Sequence, residues 1–155
     1  MKKFELTTNT KMFLGKKLFQ IKALINFGDV EAGELGGYIE KEENLDYDGD
    51  AWVYGDAWVY GNARVYGNAC VSGDACVSGN ACYTTIKGFG REYRTTTFFK
   101  CKDGKVRVQC GCFYGDLEEF RAIVKETHGK SKKAIEYLMI ADLMELHFEE
   151  KKNDK

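Results

Sequence analysis

The sequence lacks the segments that would carry the chain into a membrane or out of the cell. No apolar run in the 155 residues is long enough to cross a bilayer, which takes about 20 residues. The Met-Lys-Lys-Phe start is not followed by the apolar stretch of a signal peptide. We therefore expect a cytoplasmic protein with no membrane partner.

An excess of charge of one sign is also missing. The 23 lysines and arginines and the 24 aspartates and glutamates leave a net charge of −1. A chain so close to neutral has no general attraction for a nucleic-acid backbone. A local basic patch stays open, so a nucleic-acid partner is neither predicted nor excluded.

The middle of the chain repeats a six-residue unit. From each glycine onward, residues 49–84 read GDAWVY, GDAWVY, GNARVY, GNACVS, GDACVS and GNACYT. Alanine and valine are two positions apart, so in a strand both point to one face. Glycine with Asn or Asp provides residues that tolerate left-handed backbone at a corner. The period predicts three-sided coils of about 18 residues, stacked about 4.8 Å apart, with alanine and valine inside.

This pattern resembles hexapeptide-repeat proteins, in which an aliphatic residue recurs every six positions with a small residue two before it. The resemblance implies a mainly β fold with C-terminal α structure, built on a short left-handed parallel β-helix of two to three coils over residues 39–84. Residues 1–38 would form an N-terminal β cap, and residues 85–155 a C-terminal cap of a β-hairpin and two helices. Such caps would cover the open ends of the coils.

The flanking segments carry local signals of their own. Alternating residues predict N-terminal strands with a turn at residues 8–10. Asp103-Gly104 predicts a two-residue hairpin between strands at 92–102 and 105–112, which places Phe99 opposite Val108. Two predicted helices follow, the first begun by a capping box of Asp116 and Glu119 and ended by Gly129, the second capped by Ser131. The predicted core side of the second helix is Ile135, Leu138, Met139, Leu143 and Leu146.

Aromatic residues on the outside of the predicted coils are the first candidate binding site. Trp and Tyr are favoured at the centres of protein interfaces. Two explanations stay open: the flanks fold back over these rings, or another protein covers them. The residues are Trp52, Tyr54, Trp58, Tyr60 and Tyr66.

A second candidate lies on the predicted C-terminal hairpin. In the predicted register Phe98, Lys100, Arg107 and Gln109 share one face. Basic and aromatic side chains together are typical of nucleic-acid or nucleotide binding, and a solvated sheet face is the plainer alternative. Phe98, Lys100 and Arg107 therefore join the candidate partner-binding residues.

The six cysteines do not predict disulfides or a metal site. Cys70, Cys76 and Cys82 hold one place in successive units, so they point to three sides of a coil, whereas bonded cysteines need Cα atoms within about 7 Å. Reduced thiols suit a cytoplasmic protein. In the predicted register Cys101 and Cys110 are too far apart to share a metal, so we predict neither a metal nor a cofactor.

Catalysis is the alternative that the resemblance raises. Hexapeptide-repeat acyltransferases use a histidine base near a cleft between subunits, whereas this chain has only His128 and His147, both outside the repeat. A histidine at a helix end is more often a partner of the helix dipole. We predict no catalytic residue and keep a transferase with a site between subunits as the alternative.

The wider pattern, LGGYIEKEENL before the repeat and VQCGCFYGDLEEF after it, resembles small hexapeptide-repeat proteins encoded by phages and prophages. That resemblance implies a role in the contest between phage and host. The predicted function is a non-enzymatic binding protein that acts through protein–protein contacts and forms a homo-oligomer. An inhibitor of a bacterial defence system, such as an anti-CRISPR protein or a sponge for a signalling nucleotide, would fit.

Overall fold

The computed structural model describes residues 2–90, 94–111 and 113–149, and this part of the chain is mainly β with two C-terminal helices. Arg91, Cys112 and most of the charged tail fall outside the described residues. The strands are β1 (Phe4–Phe13), β2 (Lys16–Ala23), β3 (Leu35–Ile39), β4 (Trp52–Val53), β5 (Trp58–Val59), β6 (Cys70–Val71), β7 (Cys76–Val77), β8 (Tyr83–Phe89), β9 (Arg94–Lys100), β10 (Val106–Cys110) and β11 (Phe113–Asp116). The helices are α1 (Leu117–His128) and α2 (Lys132–Phe148).

The prediction of a left-handed parallel β-helix is wrong, because the sheets are mixed. One sheet has the order β1-β2-β3-β5-β7, with antiparallel pairs at its start and parallel pairs at its end. The C-terminal sheet, β11-β10-β9-β8, is antiparallel. The physical reason is that strand edges need partners. The N-terminal hairpin satisfies one edge by entering the same sheet as the repeat strands.

In its first five units the repeat nevertheless buries the side chains that its period selects, whereas Ala81 of the sixth unit is exposed in a short 3₁₀ helix. The valines at 53, 59, 65, 71 and 77 are 0% exposed, and the alanines at 51, 57, 63, 69 and 75 are at most 2% exposed. Parallel pairs join residues 18 apart, as in Trp52 with Cys70 and Trp58 with Cys76. Leu45 pairs with Val65, 20 residues on, because two extra residues precede Val53.

The N-terminal hairpin turns later than predicted. β1 continues through residues 8–10, where its pairing with β2 shifts register between Leu6 and Thr10. The turn is formed instead by Leu14 and Gly15, with φ of 50° and 77°. Two central residues with positive φ make the two-residue turn that matches the twist of paired strands.

The turn between β9 and β10 has one residue more than the predicted two. The Cys101 amide donates to the Lys105 carbonyl oxygen at 2.9 Å, which leaves three residues in the loop, the last of them Gly104 with φ of 83°. Phe99 therefore lies opposite Arg107, and Phe98 opposite Val108. A shift of one residue turns one strand of the pair over relative to the other, so Phe98 now shares a face with Val108 and Phe99 with Arg107.

The C-terminal sheet separates two cores. Tyr83 and Phe99 point toward the repeat and join its apolar core. Phe98 and Val108 point to the other side and pack with α1 and α2. One sheet thus connects the repeat to the helices, and neighbouring residues of β9 belong to different cores.

Both helices begin at the predicted caps. The Asp116 carboxylate accepts from the Glu119 amide at 2.8 Å, and the Ser131 hydroxyl accepts from the Ala134 amide at 3.3 Å. Gly129, with φ of 61°, ends α1. No helix in residues 2–90, 94–111 and 113–149 is long and apolar enough to span a bilayer.

The predicted core side of α2 is wrong. The buried residues of α2 are Ala134, Tyr137, Ile140, Ala141, Met144 and Phe148. Of the predicted set, Leu138 is partly buried and the other four are exposed. Apolar residues recur at helical spacing on two opposite faces of α2, so the period alone did not identify the face that meets the sheet.

Candidate protein-binding surface

The two tryptophans of the repeat are covered by the chain itself. Trp52 is 0% exposed, with the rings of Phe4 and Phe27 at centroid distances of 6.4 Å and 5.3 Å. Trp58 is partly buried, with the Phe13 ring at 4.5 Å and the Lys102 ammonium 3.8 Å from the centre of its own ring. Cover by the flanking segments therefore applies to both tryptophans, and Trp52 exposes no surface to a partner in this structure.

The three tyrosines of the first candidate site have different surroundings. Tyr54 and Tyr60 are partly buried, and burial raises the pKa of Tyr60 to about 12. Burial also raises the pKa of Tyr54 above its ordinary value. Tyr66 is 59% exposed, so it is the one aromatic residue of that set that offers most of its ring to a ligand or partner.

The predicted basic and aromatic face of the hairpin does not exist. Phe98 is 0% exposed, with its ring 6.0 Å from that of Phe120, and Lys100 shares its side of the sheet. Arg107 lies on the opposite side, where its guanidinium donates to the Asp103 carboxylate at 2.8 Å. The one-residue difference in the turn is the cause, because it assigns these residues to different faces.

The structure instead exposes one whole side of α2. Four large apolar side chains on it are more than half exposed: Ile135 at 55%, Met139 at 66%, Leu143 at 55% and Leu146 at 67%. Their spacing of four, four and three residues places them in one row over three helical turns. We call this row the outer face of α2; the sequence identified its members but assigned them to the core.

Charges at the two ends of α2 are arranged against its dipole. Lys132 and Lys133 occupy the first turn, which contains no acidic residue. Asp142, Glu145 and Glu149 lie in the last two turns and the cap. A helix is stabilised by negative charge at its start and positive charge at its end, so apart from His147 in the last turn this arrangement gives α2 no such benefit.

Part of the acidic charge is used within the molecule. The Arg121 guanidinium of α1 donates to Asp142 at 2.8 Å and to Glu145 at 2.7 Å on α2, and also to Glu118 at 2.7 Å. These hydrogen bonds, that to Glu145 first, raise the pKa of Arg121. Three carboxylates share this one guanidinium, so the C-terminal half of α2 keeps a negative surface.

The histidines pack against aromatic rings. His128 stacks on Tyr137 at 5.9 Å, and His147 meets Phe148 edge-on at 4.9 Å. The described cysteines are free thiols, and burial raises the pKa of Cys101 to about 11. In the described part of the chain, no three His, Cys, Asp or Glu residues are grouped to hold a metal ion.

Neither a family model nor a curated protein matches the chain in a search with its sequence. Among the described helices and strands, α2 carries the most large apolar side chains that are exposed, and all four lie on its outer face.

Proposed function

We propose that the chain is a non-enzymatic binding protein that acts through protein–protein contacts, and that the outer face of α2 joins two copies of it. The observation that carries this proposal is the row of four large apolar side chains, each more than half exposed, on the side of α2 away from the sheet. Full burial of one such side chain is worth about 1.5–3 kcal/mol. Rows of this kind mark interaction sites in folded proteins.

The charges of α2 favour a second copy as the occupant of this face. If two α2 helices pair in opposite directions about a two-fold axis, Lys132 and Lys133 of each copy lie beside the acidic end of the other. Parallel pairing would bring lysines against lysines. The charge order that works against the helix dipole therefore stabilises an antiparallel pair.

A substitution at the centre of the row tests the contact. Leu143→Glu places a charge where the two apolar faces meet, and we expect it to convert a dimer into a monomer. Ala122→Glu is the matched control, because Ala122 is an exposed residue of α1 outside the row. Sedimentation equilibrium and native mass spectrometry measure both. A wild-type chain that stays monomeric at hundreds of micromolar, or a Leu143→Glu variant that stays dimeric, contradicts the proposal.

Charge exchange tests the direction of pairing. Lys132→Glu and Glu149→Lys should each weaken the homodimer, because each places like charges together at both ends. Mixed in equal amounts, the two variants should form a heterodimer in which every end pair is again opposite in sign. One variant is labelled with 15N, so that native mass spectrometry separates the two homodimers and the heterodimer by mass. A random mixture of dimers would argue against antiparallel pairing.

The resemblance to phage-encoded proteins extends the proposal to a target. We propose that the dimer acts in the cytoplasm of a bacterial host, on a protein component of a defence system such as CRISPR. Phage plating on cells with and without a defence system, each with and without this chain, tests that step. Rescue of plating only where the defence is present supports this step. No rescue across a panel of defence systems contradicts it, and that result would leave the proposed dimer unaffected because the dimer is measured separately.

A further inference from the structure

A cleft opens between the repeat and the C-terminal sheet. On the repeat side of that sheet, Tyr83, Phe99 and Thr97 are buried against the repeat. Farther along the same face, Thr85 and Lys87 on β8 are exposed and Thr95 on β9 is partly buried. The two walls separate at these three residues.

Hydrogen bonds hold the two walls in place. The Tyr83 hydroxyl donates to the Arg64 carbonyl oxygen at 2.6 Å, and the Cys70 amide donates to the Thr97 hydroxyl at 3.0 Å. The Ser72 hydroxyl donates to the Gln109 side chain at 2.8 Å. A cleft between walls that are fixed to each other keeps its shape before a ligand arrives, which lowers the entropy that binding costs.

The cleft consists of two adjoining cavities of about 530 Å³ and 540 Å³. Asn68, Lys87 and Thr95 line both, so the two cavities share one wall. The exposed ring of Tyr66 borders the first cavity. Each volume lies in the range of about 300–1,000 Å³ that is typical of small-molecule sites.

The lining of the first cavity suits an anion. Its described lining includes Lys87, two threonines on the cleft face of the sheet (Thr85 and Thr95) and two asparagines, and no acidic residue. Arg94 adds a guanidinium to the second cavity, where Asp29 is the one acidic residue among the described lining. Ammonium and hydroxyl donors together bind phosphate oxygens through charge-assisted hydrogen bonds.

We propose that this cleft binds a nucleoside monophosphate, with the phosphate at Lys87 and the threonine hydroxyls and the base against the ring of Tyr66. An aromatic ring accepts any base, because every base has a π-face, and such a stack is worth about 1–3 kcal/mol. The site lies on other elements than the outer face of α2, so it does not depend on the proposed dimer.

Calorimetric titration with AMP, GMP, CMP and UMP tests the site. At least one of them should bind, and adenosine and inorganic phosphate should each bind at least tenfold more weakly, because each lacks one of the two contacts. Lys87→Gln and Tyr66→Ala should weaken binding about tenfold or more. Lys105→Gln is the control, since it removes one exposed lysine from the β9–β10 turn, outside the cleft.

Three results would overturn the assignment. The first is no binding of any of the four mononucleotides at millimolar concentration. The second is an equal loss of affinity in Lys105→Gln and Lys87→Gln, which would mean general charge attraction. The third is phosphate alone binding as tightly as the mononucleotides. Leu143→Glu should bind the mononucleotide as the wild type does, which separates failure of the cleft from failure of the dimer.

Discussion

The two tryptophans of the repeat occupy the same place in consecutive units but have different surroundings. Trp52 is enclosed by rings from the N-terminal segment, and Trp58 lies under the Lys102 ammonium. The indole N–H of each is buried without a hydrogen-bond partner in the described residues, which costs free energy that ring packing must offset. For these residues, neighbours distant in sequence decide burial.

At the residue scale, we expect substitutions at Trp52 and Tyr66 to separate structural from surface aromatics. Trp52→Ala should lower the free energy of unfolding by about 3–5 kcal/mol, because it leaves a large cavity. Tyr66→Ala should change it by less than about 1 kcal/mol, since that ring is mostly exposed. Denaturant unfolding of both variants measures the difference. Equal costs would mean that Trp52 is not enclosed as described.

Single residues also show where sequence reasoning ends. Lys3 looks like a surface lysine in the sequence, yet it is 1% exposed, and its ammonium donates to the Ala51 carbonyl oxygen at 2.8 Å. The Phe27 ring lies 4.6 Å from the same ammonium. Burial lowers the pKa of Lys3. Both partners are more than 20 residues away, so no local pattern could identify this environment.

At the scale of elements, features set by nearby residues could be predicted from the sequence, whereas features set by other elements could not. The caps at Asp116 and Ser131 were predictable because a cap is set by residues within three positions. The hairpin register was not, because one residue in the turn decides it and Asp103-Gly104 fits turns of two or three residues. The buried side of α2 is the apolar face that packs against the C-terminal sheet, and the sequence of α2 alone does not show which of its two apolar faces that is.

Two glycines of the repeat give a matched test of stacking between units. Gly49 and Gly55 both have positive φ, 74° and 59°, so alanine is strained at either by about 1–2 kcal/mol. A Cβ at Gly49 would lie 2.5 Å from the Gly67 carbonyl oxygen, whereas at Gly55 it would meet nothing within 4 Å. We expect Gly49→Ala to lower the free energy of unfolding by at least about 1 kcal/mol more than Gly55→Ala in denaturant titration. Equal costs would contradict the close approach of residues 49 and 67.

At the scale of the whole molecule, the six-residue period predicted the inside of the repeat but not how the repeat is enclosed. The period repeats locally, so it determines which alanines and valines point inward. The N-terminal hairpin joins the repeat through β2 and β3, and the C-terminal sheet joins it where Ala75 bridges Cys101. In both places, the sequence pattern of one segment does not indicate which other segment it pairs with. The mixed sheets and the cleft result from these two pairings between distant segments.

Enclosure of the repeat and of the helices also buries tyrosines in both cores. Burial raises the pKa of Tyr60, Tyr83 and Tyr137 to about 12 each, against an ordinary value near 10. Tyr83 belongs to the core of the repeat and Tyr137 to the core under the helices. The shift is a property of the folded state, because an unfolded chain leaves every phenol in water.

These tyrosines make the fold sensitive to alkali in a defined window. The unfolded chain loses its phenol protons first as the pH passes about 10, so the folded state holds more protons between about pH 10 and 12, and the free energy of unfolding falls over that range. Urea unfolding at pH 8 and at pH 10 to 11 measures the fall, and absorbance at 295 nm follows ionisation. Tyr137→Phe should reduce the fall, whereas Tyr66→Phe, at an exposed ring, should not. Ionisation of all tyrosines with a single midpoint near pH 10 in the folded protein would contradict their burial.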